Sequence, residues 1–286
     1  MRSLYLKLTI ATALSAAIIG NVFAGDVERE QKKIERTTEK SLQTMLDFGA
    51  GTITLAASAP ELILDAQAVY DKKRVDFFVD YKVRRERGVL ELSSEMFGKT
   101  LEGKIRNEWE IDLARAVPQD LEVDVGAADA RLDFSDLRLT SLSMDIGAAD
   151  AEIWWDKPNV EELKEISIDC GASSLKISGL GNANFEYMTF DGGLGSFEID
   201  CSGAWTRSGQ ADFEVGLGSL ELTIPENLAA RIEVDGSFMS SVDIDRHFEE
   251  VSDNVYKTQG YDDAKVRFDV KLQLGMGSVD VRAGRP

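Results

Sequence analysis

The sequence predicts an all-β chain: a right-handed parallel β-helix-like solenoid of stacked sheets, with an antiparallel N-terminal extension. Three observations predict it. A short pattern, an acid between apolar residues followed by a corner of glycine and alanine, recurs along the chain. The corner glycines at 126, 147, 171, 193 and 216 are 21, 24, 22 and 23 residues apart, which is a solenoid period. On both sides of each corner, apolar and polar residues alternate with the period of two that a strand requires.

Composition bounds the function. The chain has 286 residues, 43% of them hydrophobic, enough for one or two domains with a buried core. Lysine and arginine total 32 against 51 acids, a net charge of -19, which excludes a nucleic-acid binder because phosphate contacts need a basic face. Only 2 cysteines are present, so a disulfide scaffold is excluded as well. The single histidine, His247, leaves little scope for histidine-based metal or triad chemistry.

Residues 1–24 read as a signal peptide. Arg2 and Lys7 supply the basic start, Leu8 to Ile19 is apolar, and Val22-Phe23-Ala24 presents a small residue for cleavage after Ala24. An uncleaved membrane anchor is the weaker reading, because Thr9, Thr12, Ser15 and Asn21 interrupt a run barely long enough to span. No cysteine follows for a lipid anchor. Without Arg2 and Lys7 the mature chain keeps 30 cations against 51 acids, a net -21. The expectation is an exported protein, periplasmic or at the cell surface, with no transmembrane anchor after cleavage.

Residues 25–40, GDVEREQKKIERTTEK, are dense in charge and read as a charged linker or solvated helix. Residues 41–286 read as a single solenoid domain. Its first copy of the pattern is Leu46-Asp47-Phe48-Gly49-Ala50-Gly51. An insertion over 62–118 follows, in which Val75, Phe77, Val79, Tyr81 and Val83 alternate, and it is expected to be an antiparallel cap. The core coils span 119–245, with corners at Gly126-Ala127-Ala128, Gly147-Ala148-Ala149, Gly171-Ala172-Ser173, Gly193-Leu194-Gly195 and Gly216-Leu217-Gly218. Inward positions include Val125, Ile146, Cys170 and Val215 before the corner, and Leu132, Ile153, Ile177, Ile199 and Leu222 after it. A copy near Val234 to Ile244 is degraded, with Ser237, Phe238 and Met239 at its corner. The last copy, Leu272-Gln273-Leu274-Gly275-Met276-Gly277, lies in closing strands over 264–286 that are expected to end the stack. An antiparallel sandwich would need Asn-Gly or Asp-Gly turns that the corners lack.

The run Asn107, Trp109, Ile111 and Leu113, followed by Val117-Pro118, Asp120-Leu121 and Gly126-Ala127, resembles the toast-rack family of exported bacterial domains. So do Gly179-Leu180-Gly181-Asn182-Ala183-Asn184-Phe185 and Leu222-Thr223-Ile224-Pro225. The resemblance implies stacked β-sheets related to the C-terminal domains of cell-wall-active antibiotic response proteins and to adhesin-like domains. It brings no catalytic residues and no cofactor.

The most unusual chemistry is one outward column of acids: Asp47, Asp124, Asp145, Asp169, Asp191 and Glu214. Strands about 4.8 Å apart would stack these carboxylates, with repulsion of about 1 kcal/mol per neighbouring pair in water. The column reads either as a site for cations or a cationic partner, or as carboxylates held by corner amides that keep the sheet soluble. Repulsion predicts carboxylate pKa values raised on folding and a fold stabilised by salt, whereas capture by corner amides predicts the opposite pH response. A second column, Asp129, Asp150, Ser174, Ser196, Ser219 and Ser278, reads as turn capping. Trp154 points outward and Trp155 inward, and an exposed tryptophan beside acids suits either a sugar or a covering loop. Cys170 and Cys201 fall on opposite strands of successive coils, too far apart to bridge.

These residues predict a non-enzymatic envelope or surface protein, needing no cofactor, whose partner is an envelope protein or a glycan. A carbohydrate-active enzyme on a β-helix is the alternative, and it would need a loop-built cleft with paired carboxylates. An accessory domain of an envelope-stress sensor is a third reading, one that requires a membrane partner.

Overall fold

The computed structural model describes residues 26–97, 105–236 and 240–285. The expected signal peptide over 1–24 and the corner at Ser237, Phe238 and Met239 lie outside them. In chain order the strands are β1 (Val27–Glu35), β2 (Ser41–Ala57), β3 (Leu62–Asp71), β4 (Val75–Arg84), β5 (Arg87–Met96) and β6 (Asn107–Leu113). The core follows as β7 (Gln119–Asp133), β8 (Leu139–Ile146), β9 (Asp150–Trp154), β10 (Leu163–Ser178), β11 (Phe185–Asp200) and β12 (Gly209–Pro225). The C-terminal part holds β13 (Ala229–Gly236), β14 (Ser240–Ile244), β15 (Glu249–Ser252), β16 (Val255–Lys257) and β17 (Arg267–Gly284). No helix among the described residues is long and apolar enough to cross a membrane.

The chain is all-β, a stack of parallel rungs. Each rung has two legs meeting at the glycine corner. In β7, Leu121, Val123 and Val125 are buried before the corner and Ala128, Ala130 and Leu132 after it, so the inward parity shifts by one residue. Gly126 and Ala127 therefore both face outward, and the strand turns around them. The glycine is required by close approach between rungs: a Cβ on Gly126 would lie 2.3 Å from the Gly49 carbonyl oxygen, and one on Gly216 2.8 Å from that of Gly193.

The third side of the stack is closed by return loops, and buried amides hold these together. Asn159 brackets Leu139, accepting from its amide N–H and donating to its carbonyl. Asn182 donates to the Trp155 carbonyl and accepts from the Ala204 amide. Buried backbone groups in a loop need such partners, since no strand ladder serves them. Inside, aromatic rings pack edge to face, including Phe190 on Phe197 at 5.1 Å and Phe77 on Trp109 at 4.8 Å.

The order of rungs departs from chain order at both ends. β7 pairs with β2 on one side and with β8 and β9 on the other. β2 in turn pairs in parallel with β5 along its first leg and β6 along its second, so the 62–118 insertion supplies a further parallel rung. Its antiparallel pairings, β3 with β6 and β4 with β5, lie outside that rung. At the other end β17 pairs with β12 and also with β13 and β14.

Two expectations are corrected here. The segment 25–40 is neither linker nor helix: its Val27–Glu35 stretch is strand β1, paired antiparallel with β3. An exposed sheet edge offers backbone hydrogen bonds that need no apolar face, and polar cross-strand contacts such as Gln31 to Asp65 suffice beside the one buried residue, Ile34. The closing strand β17 does not end the stack either. The degraded copy lies outside it, and its exposed Ser241 and Asp243 suit a terminal rung that must face solvent.

Candidate functional site

Strand register brings the predicted acids into one row. Asp47 pairs with Asp124, Asp124 with Asp145, Asp145 with Asp169, Asp169 with Asp191, and Asp191 with Glu214. All six are exposed. Ser93 continues the row at one end and Gln273 at the other. The row lies on the outer face of the first leg because each acid is one residue before the last inward position of that leg.

The electrostatics follow from the stacking. Partial burial between the neighbouring strands raises the Asp124 carboxyl above its usual range, and the charges of Asp47, Asp145 and Glu122 add to it. Asp169 is raised in the same way, by burial first and then by Asp191 and Asp145. Corner amides do not hold these carboxylates. The amides of Gly147, Ala148 and Ala172 donate instead to the carbonyls of Val125, Gly126 and Gly147 on the adjacent rung. Side chains leaving parallel strands stand side by side rather than converging, and among the described residues no group of three or more His, Cys, Asp or Glu is arranged to hold a metal ion.

One exposed apolar feature is not apparent from the alternation of the sequence. At the tip of the corner, Leu194 pairs with Leu217 and Leu217 with Met276, and their side chains are 51%, 47% and 44% exposed. Ala172 extends this apolar ridge to the previous rung. A shallow groove separates ridge from acids, lined by Asp169, Asp191 and Glu214 on one side and Gly171, Gly193 and Gly216 on its floor. The signal was present in the third residue after each acid, where alanine gives way to leucine, and in Met276 at the same place after Gln273.

The remaining candidates fall in separate places. Ser196 and Ser219 of the second column are neighbours whose hydroxyls bond to each other at 3.2 Å, a ladder on the second leg. Trp154 is half-buried on the outer face of that leg, while Trp155 is 1% exposed in the core against Phe134. His247 sits with Nε2 3.1 Å from the Glu226 carbonyl oxygen. Cys170 and Cys201 are buried and not bridged to each other, and burial pushes the Cys170 thiol up to about 11 and that of Cys201 well above its ordinary value.

The stacked two-legged rungs define a solenoid-like all-β domain. The chain belongs to the toast-rack family: the model of the N-terminal domain of toast_rack, DUF2154, matches residues 23–178. Among solved structures it is similar to a candidate cell adhesion protein from Clostridium sporogenes, at 19% identity and a TM-score of 0.49, covering 90% of this chain and 100% of that one. It is also similar to a candidate adhesin from Bacteroides fragilis, at 11% identity and a TM-score of 0.39, covering 90% and 98%. A candidate lipid-binding protein from Parabacteroides distasonis is similar at 10% identity and a TM-score of 0.27, covering 90% and 97%. No curated protein matches the sequence.

Proposed function

We propose that the protein is an exported, non-enzymatic binding module of the cell envelope, and that its acidic row and apolar ridge together take an extended, basic and partly apolar segment of an envelope partner. The observation that carries this reading is the shared register: acids and ridge run side by side along the stack, separated only by a glycine floor. A basic segment lying along the axis would meet a carboxylate about every 4.8 Å and set its apolar residues on Leu194 and Leu217. The open row of exposed carboxylates also supports the non-enzymatic reading. General acid–base work needs a carboxyl pair facing a substrate across a cleft, with water excluded.

A fluorescent peptide of alternating lysine and leucine tests the proposal. The mature protein is expected to bind it saturably, with affinity falling steeply as salt screens the row. The combined Asp145→Asn, Asp169→Asn and Asp191→Asn variant is expected to lose about tenfold in affinity, or about 1.4 kcal/mol. Leu217→Ser should weaken binding without changing its salt dependence. Equal binding of an alternating glutamate and leucine peptide, or unchanged binding by the triple variant, would overturn the reading.

A further inference from the structure

The outer face of the second leg carries a different feature. Trp154 ends β9 and stands in register between Asp133 of β7 and Ser178 of β10. Trp109 and Trp155 are buried in the core, and Trp205 donates its indole N–H to the Cys201 carbonyl. Trp154 instead shows part of its ring on a face otherwise made of charged and hydroxyl side chains. The small Ser178 beside it leaves the flank of the indole open.

Two adjoining depressions of about 310 and 330 Å3 start from that flank and share Lys176 and Ser178. The first contains Trp154 with Glu152 and Asp156 at its rim. The second reaches Thr223 of β12. Together they form a groove along the stack axis across β9 to β12, three strand spacings or about 14 Å. Lys176 is held by Glu198 at 3.2 Å, so the rim keeps an acidic balance.

We propose that this groove is a binding site for a neutral oligosaccharide, with Trp154 as its stacking platform. An indole face takes the apolar C–H face of a pyranose ring, and the polar groups beside it fix the ring's orientation. Ionised carboxylates accept hydrogen bonds and never donate, so Glu152 and Asp156 match a ligand rich in hydroxyl donors. The same carboxylates repel uronates, sulfated sugars and phosphate-bearing polymers. The site is independent of the acidic row, which lies on the other leg.

Titration of the full mature chain with cellotetraose and with tetra-N-acetylchitotetraose, read by tryptophan fluorescence and calorimetry, tests this. A saturable blue shift is expected with at least one of them, at a dissociation constant of about 1 mM. Tetragalacturonate is expected to give none. Trp154→Ala should weaken binding about tenfold or more, Trp154→Phe less, and Ser178→Gln should weaken it by filling the groove while leaving the platform in place. Melting curves identify any variant that fails to fold, and Ser178→Gln keeps the test open if Trp154→Ala does. No saturable response to either neutral sugar, equal binding of the uronate, or wild-type binding by folded Trp154→Ala would each overturn the proposal.

Discussion

Single carboxylates pull stability in opposite directions with pH. Asp124 and Asp169 have folded pKa values raised by burial and like charge, so the native state holds their protons more tightly than the unfolded chain does. Their contribution is fully present below the unfolded value of about 3.9 and is lost as pH rises through the folded value. Asp124→Asn should therefore raise stability at neutral pH by roughly 0.5 kcal/mol, the solvent-screened scale for exposed charges. The gain should vanish in melts near pH 3, well below both values, and a loss at pH 7 would refute the repulsion account. Glu39 behaves oppositely. Burial raises its carboxyl, but hydrogen bonds from Tyr81 and from the Thr37 amide and hydroxyl outweigh this and leave it lowered. Its stabilisation is present above the unfolded value and is lost as pH falls through the folded one. Glu39→Gln should destabilise by about 1 kcal/mol at pH 7 and progressively less on acidification.

Strands and corners depend on glycine to unequal degrees. Gly218 has φ +144, and a Cβ there would lie 1.9 Å from the Gly195 carbonyl oxygen on the neighbouring rung. Gly260 has φ +80, and a Cβ there meets nothing within 4 Å. Gly260→Ala should cost only the left-handed backbone term, about 1 kcal/mol, whereas Gly218→Ala should cost about 3 kcal/mol or more because two rungs must separate. Denaturant midpoints of the two variants check the contrast. Much at this scale was legible in the sequence. The recurrence of an acid and a corner glycine is a register made visible, and it placed Asp124, Asp145 and Asp169 side by side. What could not be read was adjacency that skips chain order. Alternation states which face of β17 is buried but not that β12 and β13 flank it, and β1 has too few apolar residues to signal a strand whose hydrogen bonds come from an existing edge. The apolar ridge was missed because leucine at a solvent corner leaves the alternation intact.

At the scale of the molecule, a net charge of -19 concentrated on stacked strands makes the fold responsive to ions in general. The melting temperature should rise as sodium chloride increases from low ionic strength. Calcium should do no more than sodium chloride matched for ionic strength, since the row offers parallel rather than converging carboxylates. A calcium increment well above the matched salt would show that several carboxylates close on one ion. A flat response to both would show that the row is already neutralised by contacts within the fold.

The placement of β17 between two neighbours has a mechanical side. Tension applied at the C-terminal end loads an 18-residue strand along its own length against β12 on one side and β13 and β14 on the other. Its ladder bonds lie across the pull, so they share the load and must fail together in shear. β15, a four-residue strand that among the described residues pairs only with β16, would instead peel one bond at a time. A load-bearing end of this kind unravels at a rate set by the barrier to sliding a whole strand. The clamp formed by β17 thus adjoins the β12 end of both the acidic row and the groove beside Trp154, while the far end of each lies on rungs away from it.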